Sequence, residues 1–369
     1  MGCILPPVAP HISAIEPYRP GKSPEELEKD LGITGAVKLA SNENPLGPPP
    51  RAVEALVQAA SQMHRYPDGA ARALRRAIAR HHGLDPAQVC VTNGSNEVIE
   101  LVCRAFVRPG VEVLAPGHSF LMYAKLVAVA GGNYREVPLK EMRVDLEALS
   151  EAVGQATGVI FVTNPHNPAG TAITAQEFEE FLSGLRPGVV VVLDEAYMDF
   201  ASDPAIARGE EFLDGPVPVV VMRTFSKSYA LAGARIGYAL APREVIEIFD
   251  RVRQPFNTSS LAQAAALGAL EDKEFLERTR ELVASGRGFL EELFTRLGLE
   301  FIPSQANFVL VRLGPRAGDV AARLMSRGVI VRAMGGYGLG EYLRVSIGTW
   351  QELERFAQAL EATLGELEW

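Results

Sequence analysis

Val189-Val190-Val191-Val192-Leu193 runs directly into Asp194-Glu195-Ala196-Tyr197. Five apolar residues without alternation read as a strand buried on both faces, the habit of a central strand in a mostly parallel sheet. Open α/β sheets place ligands at the carboxyl ends of such strands. A carboxylate there is costly unless it is paired. A protonated ring nitrogen would pair with Asp194; capping of the next helix is the ordinary alternative.

Outward from this stretch the same grammar repeats. Val217 to Met222, Gly158 to Thr163, Val111 to Ala115 and Val89 to Thr92 read as strands. Asn96 to Val107, Phe120 to Ala130 and Ala175 to Leu185 read as helices between them. Alternation of this kind implies an α/β fold with a mostly parallel sheet. After Pro255 the pattern changes. Ser260 to Leu297 reads as one long helix, Asn307 to Arg312, Val329 to Arg332 and Tyr342 to Ile347 as strands, and Trp350 to Leu367 as a closing helix. A smaller α+β domain is expected there. The expected division is an N-terminal arm over residues 1–40 that packs with the small domain, a large domain over 41–255 and a small domain over 256–369.

Composition narrows the function. The 369 residues are 47% apolar and 22% charged, a globular mixture rather than a disordered one. Lys plus Arg number 36 against 45 Asp plus Glu, a net charge of −9. That balance argues against a bulk nucleic-acid or anionic-membrane partner. No apolar run approaches the roughly 20 residues that span a bilayer. Cys3, Cys90 and Cys103 match no zinc or disulfide framework, so a reducing, cytoplasmic setting and no metal centre are expected. Three look-alike motifs fail on spacing. Gly21-Lys22-Ser23 lacks the first glycine of a P-loop, which would fall on Glu16. Gly117 to Leu121 lacks the closing glycine of a nucleophile elbow. In Gly335 to Gly340, the third glycine of a dinucleotide fingerprint would fall on Glu341.

Three further segments have chemistry that suits one ligand. Thr224-Phe225-Ser226-Lys227-Ser228 follows a buried strand, with Arg235 a short way on. Hydroxyls and an arginine suit a phosphate dianion, and a held lysine suits a Schiff base. Gly94-Ser95-Asn96-Glu97 joins a strand to a helix N-terminus, where free N–H groups favour an anion. Thr163-Asn164-Pro165-His166-Asn167-Pro168-Ala169-Gly170 fixes a turn that directs Asn167 toward the same crevice. Taken singly, each has a plain structural reading as a surface lysine, a capped helix or a turn.

In this order the motifs resemble those of the fold-type I pyridoxal-phosphate-dependent aminotransferases, and the resemblance spans nearly the whole chain. Within that group the chain is most similar to the histidinol-phosphate aminotransferases. Glu16 to Lys22, Lys38 to Pro45, Arg65 to Gly69, Ser119 to Tyr123, Val329 to Arg332 and Leu343 to Gly348 carry the match. Two positions depart: His166 stands where Asn is more usual, and Ala169 where Thr is.

The resemblance implies roles. Lys227 would hold pyridoxal 5'-phosphate through its amine and shuttle the substrate's proton. Asp194 would pair with the ring nitrogen. Tyr197 and Asn167 would bond the ring hydroxyl, and Phe120 would stack on the ring. Ser95, Asn96, Thr224, Ser226 and Arg235 would take the phosphate, and Tyr66 would reach the phosphate of a neighbouring subunit in a homodimer with shared sites. Tyr18, Asn44, Arg332 and Arg344 would bind substrate. The implied reaction exchanges an amino group between histidinol phosphate and 2-oxoglutarate, yielding glutamate, in histidine biosynthesis. An aromatic amino acid aminotransferase, a threonine-phosphate decarboxylase and, remotely, a cofactor-sensing regulator share enough of the pattern to stand as alternatives.

Overall fold

The computed structural model describes residues 6–17 and 22–367. Its strands in chain order are β1 (Val37–Leu39), β2 (Val89–Thr92), β3 (Glu112–Pro116), β4 (Asn133–Val137), β5 (Thr157–Thr163) and β6 (Val190–Asp194). Then come β7 (Val219–Thr224), β8 (Gly237–Leu240), β9 (Phe301–Ile302), β10 (Phe308–Arg312), β11 (Val329–Ala333) and β12 (Tyr342–Ser346). One sheet has the order β2-β8-β7-β6-β5-β3-β4 and a second the order β1-β11-β12-β10-β9. In the first, β7, β6, β5, β3 and β4 run parallel, and β8 is antiparallel to both of its neighbours.

The period of two in a strand sorts its side chains between two cores. Val191, Leu193, Ile160, Val162, Val219 and Val221 face one side. Helices Arg72–His82, Leu146–Glu151 and Ala175–Gly184 cover it through Leu74, Ile78, Leu149 and Phe178. Val190, Val192, Val159, Phe161, Val220 and Met222 face the other, under helices Ser95–Phe106, Met122–Val129 and Arg243–Val252. Each fully buried aliphatic side chain contributes roughly 1.5–3 kcal/mol. That explains the unbroken apolar run at Val189 to Leu193: neither face of β6 meets water. The second sheet carries its main core under helices Lys273–Arg296, Ala317–Ser326 and Trp350–Glu366, with smaller clusters around Leu310 and Ile330. No helix among the described residues is long and apolar enough to cross a membrane.

Several expectations need correction. The helix expected over 260–297 is two, Ser260–Glu271 and Lys273–Arg296. Asp272 leaves helical geometry at ψ 70°, and its carboxylate caps the second helix at Phe275 N–H. The first of the pair buries Ala262, Ala265, Ala266 and Ala269 in the large sheet's core, and Leu276 of the second joins them. Phe120 lies in the loop before helix Met122–Val129, not inside it. Strands β1, β4, β8 and β9 carry too few apolar residues to stand out in sequence. β1, at the end of the arm, pairs parallel with β11.

Candidate active site

Strand register assembles the site. Thr163 lies beside Asp194, and Asp194 beside Met222, at the carboxyl ends of β5, β6 and β7. Asp194 is buried, with Oδ2 accepting from the Tyr123 phenol at 2.5 Å and Oδ1 from Ala196 N–H at 3.1 Å. Burial pushes its carboxyl up to about 6, against the pull of Tyr123, Ala196 and the charge of Lys227. Tyr123 also lies 3.2 Å from Thr163 Oγ1, stacks on Phe161 and meets Phe120 edge-on.

Lys227 is half-buried on the turn after β7. Its Nζ donates to the Ser41 carbonyl at 2.9 Å and sits 5.9 Å from the Tyr197 ring centre. Burial, then the charges of Arg344 and Arg235, lower its amine to about 8. Tyr197 is buried edge-on to Phe308, and its hydroxyl accepts from Asn42 Nδ2 at 3.0 Å. Asn42 in turn is locked by Ser346 and Asn307 of the second sheet's layer. Asn44, named from sequence, turns elsewhere: its amide donates to the Ser228 carbonyl and Thr279 Oγ1, both at 3.1 Å. It is Asn42 that reaches Tyr197.

A second cluster is built by β8. Because β8 is inserted between β2 and β7, Gly237 pairs with both Thr92 and Thr224. That brings the turn at Gly94 beside the turn at Thr224. A Cβ on Gly94 would stand 2.4 Å from Arg235 Nη2, and Gly94 has a φ of 69° that favours glycine. Thr224 Oγ1 donates to Ser226 Oγ at 2.9 Å. Helix Ser95–Phe106 begins here with no side-chain cap, so its first N–H groups at Ser95 and Asn96 are left for a ligand. An uncapped helix start, two hydroxyls and a guanidinium fit a phosphate dianion. The buried carboxylate and lowered lysine nearby fit a ring with a basic nitrogen and an aldehyde.

Asn167, also buried, accepts from Arg344 Nη1 at 2.5 Å, and Arg344 Nη2 donates to the Ala40 carbonyl at 2.8 Å. Arg332 and Arg344 are direct partners across β11 and β12, so they share a face of the second sheet. Tyr66 stands apart. It is 82% exposed and stacked on Phe256, and among the described residues nothing joins it to the Gly94 cluster. Tyr18 lies outside the described residues. The two departures sit in packing positions. His166 is buried near Ser119 Oγ and kept neutral by burial, at about 3, while Ala169 packs with Leu310, Met334 and Leu339.

Beneath the site lies an ionic network absent from the sequence reading. Arg223 Nε donates to Glu195 at 2.6 Å, Nη1 to Asp199 at 3.3 Å and Nη2 to Glu210 at 3.2 Å. Ser228 donates to Asp199, and His82 bridges Glu210 and Tyr238. Glu195 adjoins Asp194, Arg223 adjoins Thr224, and Ser228 adjoins Lys227, so one network braces three site residues on two segments. An arginine inside the apolar run Val219 to Met222-Arg223 was the available signal, since a buried charge requires partners.

Residues 34–360 match the family model for class I and II aminotransferases. The chain belongs to that family. This aminotransferase is 47% identical to the histidinol-phosphate aminotransferase of Akkermansia muciniphila, over 96% of this chain and 98% of that one. It is 44% identical to histidinol-phosphate aminotransferase 2 of Pseudomonas aeruginosa, over 96% and 97%. Among solved structures it superimposes on the Sinorhizobium meliloti histidinol-phosphate aminotransferase in complex with pyridoxal-5'-phosphate. That match has a TM-score of 0.90 and 33% identity, covering 98% of each chain.

Proposed function

We propose that this aminotransferase uses pyridoxal 5'-phosphate to exchange an amino group between histidinol phosphate and 2-oxoglutarate, in histidine biosynthesis. The observation that carries it is the placing of Lys227, with its lowered amine, and the buried Asp194 on adjacent strand ends, beside the uncapped turn at Gly94 and Arg235. The names of the relatives support the substrate.

When bound, the cofactor supplies an aldehyde for amine capture and a ring that withdraws electrons from the substrate's Cα–H bond. The protein does the rest. Ser95, Asn96, Thr224, Ser226 and Arg235 would hold the phosphate. Asp194 would keep a proton on the ring nitrogen. Tyr197 and Asn167 would bond the ring hydroxyl, and Phe120 would cover the ring. Lys227 Nζ, neutral for much of the time near pH 8, would take the proton from the substrate Cα and give it up to the cofactor's aldehyde carbon rather than back to Cα. Arg344 exchanges its bond to Asn167 for the anionic end of a substrate, and Arg332 on the same face assists.

A homodimer completes this reading. Val53, Val57, Met63, Tyr66 and Phe256 are exposed apolar residues that suit a second copy of the chain, and Tyr66 would serve the partner's site. A cytoplasmic enzyme fits the free, buried thiols of Cys90 and Cys103. Glutamate release from histidinol phosphate and 2-oxoglutarate, compared with phenylalanine as donor, tests the substrate. Faster turnover of phenylalanine would overturn it.

A further inference from the structure

A cleft of about 360 Å³ lies where the turn Met198–Phe200 meets helix Lys273–Arg296. Arg208, Arg280 and Arg287 line it. None of the three is assigned to the catalytic crevice.

Their charges are poorly neutralised. Arg287 is only 9% exposed, and its Nη1 is shared among the carbonyls of Ser304, Phe200 and Ala306 at 3.0, 3.4 and 3.5 Å. No salt bridge closes on it among the described residues; the charge of Glu291, one turn on in the same helix, favours its charged form, but burial outweighs that support. The Arg208 guanidinium makes no hydrogen bond or ion pair among the described residues; only its backbone carbonyl does, accepting from Glu211 N–H at 3.1 Å. Arg280 Nε donates to the Asp199 carbonyl at 3.1 Å, and its Nη1 reaches Glu277, a largely exposed partner, at 3.3 Å. The one carboxylate in the lining is Asp199, already bonded to Arg223 and Ser228. Met198, Phe200 and Ala284 give the cleft apolar walls, which strengthen any ion pair formed inside it.

Arg280 is exposed and Arg208 half-buried, but the buried charge of Arg287 is costly without a closer counter-charge. Three forked donors suit an anion with several oxygens. We propose that this cleft is a binding site for a small multivalent oxyanion of the phosphate or dicarboxylate class, separate from the catalytic crevice. Asp199 forms its wall and accepts from Ser228, the residue after Lys227, so an occupant sits close to the turn that carries the lysine.

The test is calorimetric titration of the cofactor-loaded enzyme at low salt, with inorganic phosphate in one arm and succinate in the other. Loading keeps the phosphate cluster at Arg235 occupied. The expected result is saturable binding that persists in Arg332→Ala and weakens about tenfold or more in Arg208→Ala/Arg280→Ala. The double variant should keep its visible absorbance and unfolding midpoint. Should it fail to fold, the single Arg208→Gln variant is read the same way. The stronger of the two arms identifies the ligand class. Absence of binding in both arms overturns the proposal. So does binding that survives in the cleft variants but disappears in Arg332→Ala, which would place the anion in the crevice.

Discussion

The Tyr123 phenol donates to Asp194 Oδ2 at 2.5 Å from within the core beneath the site. Among the described residues it is the one side-chain donor that opposes the upward push of burial on this carboxyl. Tyr123→Phe removes the donor and keeps the ring stacked on Phe161. Asp194 then gains proton affinity and is neutral more often near pH 6 to 7, where a neutral acid no longer stabilises a protonated ring nitrogen. Cofactor affinity and kcat should both fall about tenfold there, with KM little changed, and the deficit should narrow at higher pH. A deficit independent of pH would mean that the hydroxyl only packs.

Lys227 makes a prediction about capture. Its amine reacts when neutral, and it is lowered to about 8. The rate at which apoenzyme takes up pyridoxal 5'-phosphate, followed by absorbance, should rise with pH and level off just above 8. Lys227→Ala should complete no repeated turnovers. A capture rate flat between pH 6 and 9 would contradict the lowered amine.

Gly94 and Arg235 share one space, so they should fail together. Gly94→Ala puts a methyl 2.4 Å from Arg235 Nη2 at a φ of 69°. Arg235→Ala deletes the guanidinium itself. Both should raise the cofactor's dissociation constant about tenfold or more in equilibrium dialysis, while the amine of Lys227 stays reactive. Cofactor retained at native affinity by Arg235→Ala would remove that residue from the phosphate set.

Much of this was legible because buried parallel strands and Gly-rich turns leave strong local signals. Val189 to Asp194 and Thr224 to Lys227 announced both strand ends and their chemistry. What stayed hidden depends on register. β8 is four residues long, yet its insertion brings Gly94 to Arg235. Asn42 and Asn44 are equivalent in sequence; only their distances to Tyr197 and Thr279 separate them. The Arg223 network draws from five separate segments, and no spacing rule links them.

That network should dominate local stability. Arg223 is buried, and Glu195 is buried with it. Arg223→Ala leaves Glu195, Asp199 and Glu210 facing one another without a cation. Breaking a buried ion pair costs about 3–5 kcal/mol. Urea unfolding of the apoenzyme should show a loss of that order, and a loss under about 1 kcal/mol would mean that the carboxylates find water or protons without cost.

Glu210 and Glu195 should pull stability in opposite directions as pH changes. Burial raises Glu210, but the hydrogen bond from His82 and the charge of Arg223 outweigh it and hold the carboxyl at about 2, against 4.5 unperturbed. The unfolded chain therefore takes up this proton first. The stabilisation from Glu210 is complete above pH 4.5 and is lost as pH falls toward 2, a change of about 3 kcal/mol. Burial instead lifts Glu195 to about 7 despite Arg223, so the folded state keeps that proton longer. Its contribution is present below pH 4.5 and declines as pH rises through 7. Glu210→Gln should flatten the acid limb of a pH–stability curve measured by urea unfolding, and Glu195→Gln should flatten the fall between pH 4.5 and 7. An acid limb of unchanged slope in Glu210→Gln would show that His82 and Arg223 do not hold this carboxylate charged.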